Sequence, residues 1–433
     1  MQVILNMDNS STFQAAARLP KETRVAVLFQ RLGPYHHARL NAAGRLMSVW
    51  GVEACVTEDT YAWDKVEGAN AFTRVTLTDH YSGDRRWERE LQQKTWRTLD
   101  EIKPQVVLVN GWSSPEALSA LWWCGKTGVP AVVMSETTAW DMERKWHKEL
   151  IKRRLLKLCS ASLVGGRAHA DYLNQLGMER TKIFFGYDVV DNDYFAARAK
   201  EVRDHESAIR SQHGLPEKYF LASARFIEKK NLKCLIEAYA RYRELAGKGE
   251  NGRPTAELWD LVLLGDGPLK SDLQDLIANR SLQPSVHLPG FKQYAELPTY
   301  YALARTFIHA STIEQWGLVV NEALASGLPV LVSNRCGCAA DLVQAGRNGY
   351  CFDPCNVEAL AQLMWKLSDP AFPLSEFGSA SRQIAEQFDA SEFAKGLSGA
   401  VTWALSNPTA SFNLADKLCL SSLMYVFRGA LMT

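Results

Sequence analysis

The stretch TIEQWGLVVNEALASGLPV, residues 312–330, decides how the rest of the chain is read. The run before it, TFIHAS (306–311), reads as a strand, and Ala, Leu and Glu after Gly317 favour a helix. Gly327 suits the left-handed position past that helix, and Pro329 stops its continuation. Gly317, Leu318 and Val319 should then present unpaired N–H groups at a helix N-terminus, on the C-terminal edge of a sheet. That is a place for a phosphate, and Gly317 lets the backbone approach it closely. Two carboxylates, Glu314 and Glu322, bracket the anion site. Carboxylates repel phosphate, so their natural partners there are hydroxyls. A nucleotide sugar has this layout, with a diphosphate between a ribose and a hexose. The same spacing also suits an ordinary helix start, with one acid helping the dipole and the other on the surface.

Working outward, YFLASAR (219–225) is a second strand that runs into Arg225 and Lys230. Two cations in a water-poor cleft would stabilise the charge that grows on a leaving nucleoside diphosphate. A solvated basic loop is the plainer alternative. Further apolar runs lie at 258–265, 285–290, 329–333 and 349–352, and in the first half at 24–30, 52–56, 105–111, 130–135, 161–166 and 182–187. Helical stretches separate most of them, among them Trp87 to Ile102 and Pro115 to Lys126. Such alternation predicts an α/β chain with two Rossmann-like, doubly wound domains and a cleft between them. The expected order is a flexible lead-in (1–20), a first domain (21–200), a charged junction within 196–214, a second domain (215–390) and terminal helices (391–433).

Lys and Arg number 49 against 48 Asp and Glu, a net charge of +1, which argues against a nucleic-acid partner. Nine cysteines, an odd number scattered over 433 residues, argue for a reducing compartment rather than a disulfide framework. The opening MQVILNMDNSSTFQAAARLP has an apolar run only from Val3 to Leu5, so no leader is expected. No run reaches the ~18 apolar residues of a spanning helix, and the expected location is cytoplasmic. Cys336 and Cys338 stand too close for the usual zinc pair, and Cys351, with Cys355, falls in a strand. Buried thiols are expected there instead. Asp191-Asn192-Asp193 has the form of a metal-holding motif but falls at a domain's end, so no metal is expected.

Five ordered motifs follow Arg225 and Lys230 or include them. They are Gly265-Asp266-Gly267-Pro268, Leu288-Pro289-Gly290-Phe291, the Glu314 and Glu322 pair, Asn348-Gly349-Tyr350 and Phe352-Asp353-Pro354. Together they resemble the retaining GT-B glycosyltransferases of family 4, the glycosyl transferases group 1, across about 215–370. The resemblance is weaker over the first half, where Val190-Asp191 and Phe195 resemble the close of the family's first domain. It implies that Arg225 and Lys230 bind the donor diphosphate and that Glu314 holds hydroxyls of the transferred sugar. Glu322 would hold the ribose, and Gly317, Leu318 and Val319 would cap the phosphate. Gly290 and Phe291 would lie beside the base, and the Gly33 loop would close over the phosphates. It further implies retention by front-side attack, no cofactor, no metal, a UDP- or GDP-linked donor, and a glycan, lipid-linked or small-molecule acceptor. A nucleotide-sugar epimerase and an inactive nucleotide-binding scaffold are the alternatives. Three departures bear on specificity. Gln315 and Trp316 replace a small residue and Phe beside the expected sugar, and Glu136 stands near where many relatives carry His. The Gly33 loop has one glycine and is followed by His36 and His37, candidate contacts to acceptor or donor.

Met142 to Leu158 reads as a basic helix with an apolar stripe of Ile151, Leu155 and Leu158. That stripe either packs into the first domain or rests on an anionic membrane.

Overall fold

The computed structural model describes residues 19–57, 70–82, 84–248, 258–409 and 412–425. The expected lead-in, apart from its last two residues, lies outside them. The first lobe runs β1 (Arg24–Phe29), α1 (Pro34–Gly44), β2 (Ser48–Thr57), β3 (Thr73–His80), α2 (Arg85–Ile102), β4 (Val106–Asn110), α3 (Pro115–Thr127), β5 (Ala131–Ser135), α4 (Trp146–Leu156), β6 (Ala161–Val164), α5 (Arg167–Gln175) and β7 (Ile183–Phe185). The second runs α6 (Asn192–Asp204), α7 (Glu206–His213), β8 (Tyr219–Ser223), α8 (Leu232–Lys248), β9 (Asp260–Leu264), α9 (Lys270–Asn279), β10 (Val286–Gly290), α10 (Leu297–Leu303), β11 (Thr306–His309), α11 (Leu318–Ala325), β12 (Val330–Ser333), α12 (Ala339–Leu342), β13 (Gly349–Phe352), α13 (Val357–Leu367) and α14 (Leu374–Ala385). Two helices close the chain, α15 (Ala390–Ser406) and α16 (Leu414–Tyr425).

Each lobe holds one parallel sheet, in the orders β3-β2-β1-β4-β5-β6-β7 and β10-β9-β8-β11-β12-β13. The central strands are apolar without alternation because helices cover both faces; Val25 to Leu28 and Leu261 to Leu263 are all fully buried. In each sheet the strand order reverses beside the first strand of the lobe, between β1 and β4 and between β8 and β11. The loops leaving those strands diverge there and open a crevice. The Gly33 loop leaves β1; Arg225 and Glu314 follow β8 and β11, neighbours paired Thr306 to Phe220. The fold class expected from the alternation is present.

Two expectations need correction. The edge strand β3, TRVTLTDH, was not foreseen; it buries little beyond Leu77 and Thr78 and so carries no apolar run. The boundary at 200 moves to about residue 190. Phe195, Ala199 and Val202 of α6 pack with Tyr300, Tyr301 and Leu303 of the second lobe. The chain crosses between lobes twice, and the crossings lie side by side, Val190 bridging Asp389 in parallel. At the first, Gly186 (φ +109) presses on α15, where a Cβ would stand 2.5 Å from the Glu392 carbonyl oxygen.

After the second crossing, Phe393, Leu397 and Val401 of α15 join Val25, Val27 and Leu108 in the first-lobe core. Leu420 and Leu423 of α16 pack with Leu118 and Leu155. The last two helices thus strap the second lobe to the first. Leu397 is fully buried in this strap. Leu397→Ala should lower stability by about 2–5 kcal/mol, read as a lower denaturant midpoint; an unchanged midpoint would show that the strap carries no load.

Candidate nucleotide-sugar site

The 312–330 stretch folds as the sequence suggested. β11 ends at His309, and Gly317 caps α11 at φ +110, ψ 64, a conformation that disfavours any side chain. The first N–H groups of α11 point out of the helix toward the cleft, as helix starts require. Gly327 takes φ +78 past the helix end.

Glu314 and Lys230 meet in a salt bridge at this helix start, with both side chains mostly buried. Lys230 arrives from a short 3-10 turn, Glu228–Lys230, on the loop after β8. His309 Nε2 stands 3.3 Å from the same Glu314 oxygen, and the Ser311 hydroxyl donates to it at 3.2 Å. Burial alone would raise the Glu314 carboxyl, but the His309 hydrogen bond and the Lys230 charge outweigh it and hold it far below the usual carboxylate range. Arg225 lies two residues beyond β8, half-buried. Gly290 (φ +85), with open space where a Cβ would be, and the exposed Phe291 end β10 two strands away.

Glu322 is fully buried inside α11. The Tyr301 hydroxyl donates to Oε2 at 2.6 Å. The Tyr35 hydroxyl donates to Oε1, reaching across the cleft from α1. Burial raises the Glu322 carboxyl to about 7, against the opposing pull of the two phenols. Tyr35 is also edge-on to Tyr294, which stacks on Tyr194 at 5.0 Å. A ribose reaching Glu322 would therefore share its carboxyl with the Tyr35 hydroxyl or displace that hydroxyl.

Glu136 follows β5 and faces Asp188, which lies beyond β7 and is 1% exposed. Asp188 receives no N–H or hydroxyl donor among the described residues, and its carboxyl lies near that of Glu136. Two neighbouring carboxyls out of water favour a proton on one of them. Burial, then mutual repulsion, raises Asp188 strongly, and burial raises Glu136; Arg39 opposes both shifts. Arg39 is itself buried, its Nε donating to the Val189 carbonyl at 2.9 Å and Nη2 standing 3.9 Å from Asp188. Glu136 is close enough to Glu314 to feel its charge.

Several sequence-expected contacts sit elsewhere. The half-buried His36 accepts the Gly33 N–H at 3.2 Å and packs on Phe29, so it caps α1; desolvation, then Arg39, lowers it to about 3. His37 turns to Asn70 and Phe72 at the sheet's far side. Trp316 does not line the cleft. It is 2% exposed, bonded to Asn321 at 2.9 Å and packed on His169 and Phe388. Gln315 bridges the lobes, its amide donating to Asp141 at 3.1 Å and its carbonyl accepting from His169 at 2.9 Å. Asp191 caps α6 through the Tyr194 N–H, and no group of three metal-binding side chains occurs among the described residues. Tyr35, Tyr301, His309 and Asp188 went unremarked in the sequence. Only Tyr35 carried a signal, standing beside the two histidines singled out.

A profile of the glycosyl transferases group 1 family matches residues 205–382, the span that carries Lys230, Glu314 and Glu322. The second lobe is a glycosyl transferases group 1 domain. The chain is 29% identical over 268 residues to the sulfoquinovosyl transferase SQD2 of Arabidopsis thaliana, covering 61% of this chain and 48% of that protein. It is 31% identical over 166 residues to an alpha-monoglucosyldiacylglycerol synthase of Acholeplasma laidlawii, 38% of each. The chain thus spans less than half the length of these curated relatives. Anabaena HepE, solved with UDP and glucose, superposes with a TM-score of 0.65 at 18% identity, covering 87% of this chain and 98% of that one. The fold of the chain is GT-B.

Two predictions follow from the buried carboxyls. If ribose takes an ionised Glu322, UDP or GDP affinity should rise by about tenfold from pH 6 to pH 8, because below about 7 the carboxyl keeps its proton. Calorimetry should show that slope vanish in Glu322→Gln, and Tyr35→Phe should bind about tenfold more tightly at pH 8 by removing the competing hydroxyl. The Glu136 and Asp188 carboxyls are raised on folding, so their stabilisation is full at low pH and is lost as pH rises above the ordinary carboxylate range. Asp188→Asn supplies a permanent donor. Its melting temperature relative to the unmodified chain should climb as pH rises, and a constant difference would rule out the shared proton.

Proposed function

We propose that the chain is a retaining glycosyltransferase, moving a sugar from a UDP- or GDP-linked donor to a hydroxyl of a glycan, lipid-linked glycan or small-molecule acceptor. The observation that carries this reading is the meeting of Lys230 and Glu314 at the start of α11, one helical stretch from the buried Glu322. The donor diphosphate sits against the α11 N-terminus, with Lys230 and Arg225 as its cations. Glu314 exchanges Lys230 for hydroxyls of the transferred sugar, and Glu322 exchanges Tyr35 for the ribose. Phe291, exposed at the end of β10, lies beside the base. HepE was solved with UDP and glucose, which supports a donor of this kind.

In the step itself, the bond from the anomeric carbon to the diphosphate oxygen breaks. The acceptor oxygen bonds to that carbon from the same face, and the acceptor proton passes to the departing phosphate oxygen. Fixed cations lower the barrier because the diphosphate gains charge as it leaves. No enzymic nucleophile is required, and the cations take the role a metal would otherwise fill, so the reaction runs without metal or cofactor. The reading places the chain in the cytoplasm, with segment 142–158 touching the membrane.

The test is a screen of nucleotide sugars for protection against heat, followed by turnover of the best binder. Arg225→Ala, Lys230→Ala and Glu314→Ala should each cut transfer by more than about a hundredfold with the fold retained, and EDTA should leave the rate unchanged. Wild-type turnover in all three variants would refute the assignment. Donor converted without acceptor would indicate an epimerase; binding without turnover, a scaffold.

A further inference from the structure

Of the two readings of the apolar stripe, packing into the first domain is the one the fold shows. Leu155 and Leu158 are buried in the first-lobe core, and Ile151 packs against it. Lys148 and Lys152 of α4 are buried too, and Lys152 reaches Glu149 and the Tyr172 hydroxyl, each at 2.9 Å. What remains outside is a different face. Trp146 and Leu150, one helical turn apart on α4, are 76% and 56% exposed, and Met142 in the segment leading into the helix is 40% exposed. A tryptophan that open is costly on a surface with no partner. Exposed Lys145, Arg153 and Lys157 flank them, against one exposed acid, Glu143.

The face continues onto a second helix. Arg154 bonds Asp416 at 2.9 Å and the Asn413 side chain at 3.2 Å, which fixes the start of α16 beside α4. There Leu414 and Leu418 are 73% and 60% exposed, with Lys417 between them. The face also adjoins the cleft. Asp141, one residue before Met142, accepts from Gln315, and the Trp140 indole donates to the Arg335 carbonyl at 3.2 Å. Gln315 follows Glu314 directly.

We propose that this face of α4 and α16, with Trp146 and Leu150 at its centre, seats the protein on an anionic lipid bilayer. The inference refines the proposed function by naming the partner surface and the residues that meet it, and it rests on that reading only for the side of the membrane involved. Apolar side chains enter the headgroup boundary while the surrounding cations meet anionic headgroups. Because the face borders the Gln315 rim, the cleft then opens at the lipid–water boundary.

Sedimentation of the full chain with vesicles tests this. Binding is expected to phosphatidylcholine vesicles containing phosphatidylglycerol, to weaken with added salt, and to be slight with phosphatidylcholine alone. Trp146→Ser combined with Leu150→Ser should weaken binding by about tenfold or more. Reversing Lys145, Arg153 and Lys157 to Glu should weaken it by more than about a hundredfold, from about fivefold per cation. All five side chains are exposed, so unchanged melting and unchanged UDP heats are expected in these variants. Absence of binding to the anionic vesicles at low salt overturns the proposal. So does equal binding by the variants, or a dimer in solution that the Trp146→Ser, Leu150→Ser chain no longer forms. UDP binding without vesicle binding removes this surface and leaves the transfer reading intact; vesicle binding without nucleotide binding does the reverse.

Discussion

A carboxylate taken out of water must be given a cation, a set of donors or a proton, and the cleft of this protein is organised around that requirement. It buries four carboxyls and settles them in three different ways. Glu314 receives Lys230 and His309 and stays ionised. Glu322 receives two phenols, neutral donors that leave it titrating near neutrality. Glu136 and Asp188 lie together without a dedicated donor among the described residues, and burial raises both carboxyls toward the protonated form. The differences matter because each partner is a stand-in of a different kind. A hydroxyl can replace a phenol with little change in charge. Replacing an ammonium at Glu314 needs another home for the ammonium, and on the proposed reading the donor diphosphate would supply one.

These side chains come together because both sheets reverse their strand order at the same kind of place. Diverging loops after β1 and β4, and after β8 and β11, leave two crevices at the C-terminal ends of the strands. Tyr35 leaves the first crevice and Glu322 and Glu314 the second, so the lobes meet through their most reactive edges. Beside the buried contacts of Tyr35 with Glu322 and of His169 with Trp316, the cross-lobe contacts include polar pairs at the rim, such as Arg167 with Asp341 and Gln315 with Asp141. Interfaces of that sort permit relative motion of the lobes. The paired crossings at Val190 and Asp389 and the α15 strap keep the hinge in one place.

Much of this was legible in the residues, for identifiable reasons. Buried parallel strands declare themselves as unbroken apolar runs, and Gly317 and Gly327 marked both ends of α11 because only glycine is comfortable at their angles. β3 stayed hidden because an edge strand with polar faces has no such run. α6 was placed in the wrong lobe because its charges masked Phe195, Ala199 and Val202, and a sequence does not say which core a helix faces. His36 and Trp316 were misplaced for a related reason: their chemistry suits a site, but whether a ring turns inward depends on neighbours distant in sequence. On α4 the periodic stripe was real but belonged to the core, and the exposed face broke the pattern with a tryptophan and a leucine among cations.

Tyr35 makes the physical logic of the cleft most explicit. Its hydroxyl reaches Glu322 from the opposite lobe, so the same contact both closes the lobes and satisfies the carboxyl. A ribose hydroxyl arriving there gains little net hydrogen-bond energy, since it replaces one donor with another. On the proposed reading the affinity then comes from the diphosphate, whose charge would meet Lys230 and the α11 N-terminus, and from the base. An arrangement of that sort discriminates against neutral sugars and nucleosides, which can displace a phenol but cannot take over an ammonium. On that reading it also couples nucleotide entry to lobe separation, because the Tyr35 hydroxyl at Glu322 is anchored on α1.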